Sequence, residues 1–125
     1  SWSVPYTNIR RMIVFIANVD KAPMTEGIKR RLKAEARFLR AWYYSNLIRY
    51  FGGVPIWGDQ VIEPDHLFEE RRASYEETVN YIVSELNLAA QDLPLNYNDR
   101  PNEFGRVTKG AALALKARVL LYAAS

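Results

Sequence analysis

Few residues in this 125-residue chain can do covalent chemistry, and their types separate catalysis from binding. There is no cysteine and a single histidine, His66. That removes thiolate nucleophiles, disulfides, Cys-type zinc sites and any two-imidazole metal site, so no metal site is expected. His66 stands in a polar stretch, where an imidazole is ordinarily solvated. Adjacent acids at Glu69 and Glu70 and at Glu76 and Glu77 raise glycoside hydrolysis, which needs two carboxylates a set distance apart across a cleft. Neither pair suits it: Glu76 and Glu77 belong to the helix-start signal "SYEE", and Glu69 and Glu70 run into Arg71 and Arg72 in a charged stretch. No phosphate-cradling glycine pattern and no nucleophile elbow is present. The expectation is a protein that is not an enzyme and carries no cofactor.

Binding chemistry has better raw material. A sugar site wants a flat ring to cover the apolar face of a pyranose, beside amides, carboxylates or guanidinium groups that bond its hydroxyls. Two loops hold those ingredients: Trp57 with Asp59 and Gln60, and Tyr97 among Asn96, Asn98, Asp99 and Arg100. Trp57, Asp59, Tyr97 and Asn98 are therefore the candidate ligand contacts. A plainer account stands beside this one, in which Trp57 packs over a helix end and the Asn/Asp cluster is turn chemistry. Lys29, Lys33, Arg37 and Arg40 form a basic stripe at helical spacing and raise nucleic acid as a rival partner. A net charge of only +3, with Glu76, Glu77 and Glu85 as balancing acids, favours a solvated face, so no nucleic-acid partner is expected.

The elements that must position these residues are helices. Composition is that of an ordinary globular chain, 49% hydrophobic and 25% charged, and apolar spacing near 3.6 recurs along it. The first helix is expected from about Val4 to Val19, with Ile9, Ile13 and Ile16 on one face. The second runs from about Thr25 to Phe51 and stops at Gly52 and Gly53. It carries two apolar stripes, one through Leu32, Ala36, Leu39, Tyr43, Leu47 and Tyr50, the other through Ala34, Phe38, Ala41, Trp42 and Ser45. Such a helix has neighbours on two sides, and Trp42 and Tyr43 are expected to pack, whereas Tyr44 ends the basic stripe and is expected exposed or half-buried.

After Pro55 an extended segment should turn near Gly58 and Asp59. The third helix begins with Ser74 and Glu77 as a capping box and ends at Pro94. Thr108 caps the fourth, whose expected packing face is Ala111, Ala114, Leu115, Arg118, Leu121 and Tyr122. Glu35 falls inside an apolar stripe and needs a cationic partner; Arg118, placed likewise in the fourth helix, is the expected one, with Arg31 one turn earlier as the local candidate. The fold class expected is all-α: antiparallel helix hairpins resembling a tetratricopeptide-type α-α superhelix, one region over residues 1–125. No stretch approaches the roughly 20 apolar residues of a membrane-spanning helix. The opening "SWSVPY" and closing "LLYAAS" suggest an excerpt of a longer chain.

Three blocks carry a more specific signal: "EARFLRAWYYSNLIRYFGGVPIW", "SYEETVNYIVSELNLAAQDLP" and "GRVTKGAALALKARVLLYAA". In this order and at these separations they resemble the SusD/RagB family of outer-membrane nutrient-binding lipoproteins. The resemblance implies a cell-surface glycan-binding protein built on tetratricopeptide-like helix pairs. It further implies a lipid anchor outside this chain, an oligosaccharide ligand and a SusC-like TonB-dependent transporter as partner, at the surface of the outer membrane. The alternative from another class is a tetratricopeptide-like adaptor that binds a peptide between helix pairs.

Overall fold

A computed structural model describes residues 3–61, 72–98 and 105–125. His66, Glu69, Glu70, Arg71, Asp99 and Arg100 lie outside the described residues. Four helices follow in order: α1 (Ser3–Asn18), extended by a 3-10 turn (Val19–Lys21), α2 (Glu26–Phe51), α3 (Tyr75–Asp92) and α4 (Lys109–Ala124). There are no strands among the described residues, only one isolated antiparallel bridge between Pro55 and Arg72. The all-α expectation holds.

Each helix after the first starts where its side chains can satisfy the free N–H groups of the opening turn. Thr25 Oγ1 accepts from the Ile28 N–H at 3.3 Å, and Thr108 Oγ1 from the Ala111 N–H at 3.2 Å. Ser74 and Glu77 exchange reciprocal bonds of 3.0 Å, so the capping box is present in full. α2 ends at Gly52, whose φ of 68° is the left-handed region that glycine enters without a Cβ penalty. Gly53 is required for a different reason: a Cβ there would lie 2.0 Å from the carbonyl oxygen of Ala73. The two glycines thus let the α2 exit lie directly against the α3 entry.

Consecutive helices pack antiparallel, α2 against both α1 and α3, and α4 against α3. Tyr6, Ile9, Ile13, Ile16 and Val19 line the inner side of α1 and its 3-10 extension. On α3 the buried row is Thr78, Val79, Ile82, Glu85, Leu86, Ala89 and Ala90. α2 does have two neighbours, but its faces are rotated from the expected ones. Tyr44 is fully buried, Leu39 and Trp42 are partly exposed at 37% and 42%, and Tyr50 is open. The expectation for this aromatic run is therefore corrected at two positions: Tyr44 is the core ring, and Trp42 is not. The packing face of α4 is corrected as well. Ala112, Leu115 and Val119 are buried, whereas Ala111, Ala114, Arg118, Leu121 and Tyr122 are exposed. No helix of the described residues is long and apolar enough to cross a membrane.

Candidate functional site

The four residues proposed as ligand contacts fall into two separate groups. Trp57 is buried, its indole edge-on to Tyr6 with ring centroids 4.4 Å apart. Tyr6 in turn donates from its hydroxyl to the Pro55 carbonyl at 2.7 Å and meets Tyr44 edge-on at 6.1 Å. Tyr97 is buried too, and its hydroxyl donates to the Val107 carbonyl at 2.8 Å, tying the end of the α3–α4 connection together. Neither ring offers a face on which a pyranose can stack. Asn98 is exposed, and its backbone N–H donates to Asn96 Oδ1 at 3.0 Å, a local turn bond. The plainer account of both loops matches this geometry.

Asp59, half-exposed, belongs to a charge network that no single stretch of sequence reveals. Arg40 is 1% exposed, and its Nη2 lies 2.8 Å from Asp59 Oδ1 while Nη1 donates to the Gly58 carbonyl at 2.7 Å. The same guanidinium donates to Glu85 Oε1. Arg37 donates to Glu85 Oε2 at 3.1 Å, and the Tyr81 hydroxyl donates to Glu85 Oε1 at 2.6 Å. Arg40 and Glu85 thus neutralise each other inside the α2–α3 contact, which is the condition for keeping two charges away from water. Burial opposes ionisation of Asp59, but the hydrogen bond and charge of Arg40, with Arg37 beside it, prevail and hold its carboxyl below the usual range. Burial pushes the Tyr6, Tyr44 and Tyr81 phenols well above theirs, so none is available as a base near neutral pH.

The expected basic stripe is therefore not a free cationic face. Arg37 and Arg40 turn inward onto carboxylates, and Lys33 Nζ lies 2.8 Å from Asp20 Oδ2, with Lys29 donating to the Asp20 carbonyl at 2.7 Å. The partner of Glu35 is also corrected. Its carboxylate takes both Nε, at 2.8 Å, and Nη2 of Arg106, not Arg118. Arg118 instead lies on the exposed side of α4, across a hollow of about 180 Å³ from Trp42, Ser45, Asn46 and Arg49 of α2. Ile48, Leu115 and Val119 floor that hollow, and Tyr122 stands at its edge. Trp42 is braced edge-on by Tyr43 at 5.5 Å. This is where exposed rings and polar side chains converge, and the sequence signal for it was the Trp-x-x-x-Asn spacing of Trp42 and Asn46 on one helical face.

Among the described residues no group of three or more His, Asp or Glu side chains could hold a metal ion. The buried networks hold geometry, and the Trp42 side is where a half-exposed ring stands beside polar side chains.

Comparison with known proteins agrees with this architecture. The chain is 35% identical over 100 residues to the starch-binding protein SusD of Bacteroides thetaiotaomicron, covering 80% of this chain and 17% of that protein. A SusD-like protein of Bacteroides fragilis superposes with a TM-score of 0.87 at 37% identity, over 98% of this chain and 23% of the other. A laminarin-binding SusD-like protein gives the same TM-score at 34% identity, over 98% and 26%. The chain thus spans between a sixth and about a quarter of the length of these relatives. Residues 1–121 match the SusD-like family model described as starch-binding and associating with the outer membrane, and with the helical order and packing seen here the chain belongs to that SusD-like family.

Proposed function

We propose that this chain is the helical scaffold of a glycan-binding surface protein that hands oligosaccharide to a SusC-like TonB-dependent transporter of the outer membrane. The observation that carries the proposal is the family match over residues 1–121, joined to relatives named for binding starch and laminarin. The physical reading supports the scaffold role. Tyr6, Tyr44, Trp57 and Tyr97 are spent on cohesion, and the buried Arg40–Glu85 pair joins two helices instead of meeting a ligand. Recognition in such a protein is non-covalent, by rings and polar groups, and no bond of the sugar is broken. The carbohydrate-binding names of these relatives favour this over a peptide-binding adaptor.

Titration calorimetry of the intact protein against maltohexaose and laminarihexaose tests the binding, and co-purification with an outer-membrane TonB-dependent transporter tests the partnership. Saturable heat with at least one glycan and retention of the transporter are expected. Absence of both, with no release of reducing ends to suggest an enzyme instead, removes the proposal.

A further inference from the structure

We propose that the hollow between α2 and α4 is a subsite for an anionic sugar unit, the carboxylate of a uronic acid being held by Arg49 and Arg118 while its ring lies on Trp42. The inference rests on the glycan-binding reading and adds the charge class of one unit. Its first support is a contrast with three arginines packed between elements: Arg37, Arg40 and Arg106 each meet a carboxylate. Arg49 and Arg118 are both exposed, face one hollow from opposite helices, and have no carboxylate partner among the described residues.

Charge gives the second support. Among the described residues no acid lines the hollow. α2 has no acid after Glu35, and α4 has none at all, while α4 alone carries Lys109, Lys116 and Arg118. Two guanidinium groups with no counter-charge among the described residues, beside a half-exposed indole and the Asn46 amide, match a carboxylated pyranose better than a neutral one. A helix-end explanation covers only half of this. Arg49 sits in the last turn of α2 and is favoured there by the helix dipole, but Arg118 lies outside the last turn of α4. At about 180 Å³ the hollow is smaller than the roughly 300–1,000 Å³ of sites that enclose a drug-sized ligand, which limits it to a small part of an oligosaccharide.

Calorimetric titration of the intact protein with trigalacturonate and with maltotriose, at low and physiological salt, tests this alongside the Arg118→Gln, Arg49→Gln and Trp42→Ala variants. Trigalacturonate should bind the wild type and weaken about tenfold or more with either glutamine variant, as expected when a charge-assisted bond is lost. Its affinity should also fall as salt rises, and the wild-type Trp42 indole NMR signal should shift on addition. Unchanged trigalacturonate affinity in all three variants, with melting temperatures showing that they fold, overturns the subsite but leaves the glycan-binding reading intact if maltotriose or a longer neutral glycan binds. Failure of every carbohydrate to bind overturns both.

Discussion

Glu35 and Arg106 are 71 residues apart in sequence and share two hydrogen bonds, one of them 2.8 Å from Nε to Oε1. Glu35 is nearly buried in α2, whereas Arg106 stands two residues before the Thr108 cap of α4. The pair therefore fastens the α3–α4 connection to the middle of the bundle. Two parallel N–H···O bonds need the planar fork of arginine, which an ammonium cannot copy. Arg106→Lys should cost about 1 kcal/mol and Glu35→Ala about 1–3 kcal/mol of unfolding free energy, by the usual cost of a lost charge-assisted bond. Urea denaturation checks both, and amide exchange should rise first around Val107 and Thr108.

Arg40 and Glu85 make the opposite kind of pair, with both members buried. Removing either alone takes from the other its buried counter-charge and leaves only the less buried one, Asp59 for Arg40 and Arg37 for Glu85. Arg40→Met or Glu85→Leu singly should cost about 3–5 kcal/mol, while the double replacement should recover much of that, because two apolar side chains can fill the same space. The measurement is a double-mutant cycle in urea. A double variant no more stable than the worse single one would show that the pair is not the unit described.

Asp59 predicts a pH effect whose sign follows from its lowered pKa. In the unfolded chain the carboxyl titrates near the ordinary value of about 3.9; in the folded protein it titrates below that. Stability from the Arg40–Asp59 contact is thus fully present above about pH 4 and is lost as pH falls through the folded value. Melting temperatures from pH 6 down to pH 2.5 should show a smaller acid-induced decline in Asp59→Asn than in the wild type. At neutral pH that variant should lose only about 1 kcal/mol or less, since Asp59 is half-exposed and such contacts are screened.

What the sequence made legible was local. Helix starts were readable because Ser74 and Glu77, Thr25 and Thr108 act within one turn of themselves. In α3 and its C-terminal cap the apolar residues Val79, Ile82, Leu86, Ala89, Ala90 and Leu93 fall on one face, so its inward side follows from their spacing. α4 is nearly apolar all round, so its period cannot say which side turns inward, and the expected face missed Ala112 and Val119. The interior charges were hidden for another reason. Arg40 and Glu85 look like surface residues until a neighbour 45 positions away neutralises them, and periodicity carries no information about that neighbour. The single clue was the position of Glu85 between Ile82 and Leu86 on an apolar face, the same clue that marked Glu35. Arg118 is not the partner of Glu35 because it lies on the exposed side of α4. The candidate rings erred in the same direction: a tryptophan in a loop was a possible platform, yet its loop folds back onto Tyr6.

Trp57 and Trp42 separate the two roles that aromatic rings play in this chain. Trp57 is 5% exposed and packed on Tyr6; truncation leaves a cavity that the surrounding helices cannot easily close. Trp57→Ala should therefore cost about 3–5 kcal/mol, the range for a large buried ring, and favour no one glycan over another where the variant is folded. Trp42 is 42% exposed and rests against only part of the core, so Trp42→Ala should cost clearly less, about 1–2 kcal/mol on the area it buries. Parallel thermal melts and glycan titrations at a temperature where both variants are folded distinguish the cases. If Trp57→Ala melts like the wild type and loses one glycan selectively, the indole in the loop is a contact and not a structural wedge. If Trp42→Ala proves the more destabilised of the two, the ring belongs to a larger core than the one formed by these four helices.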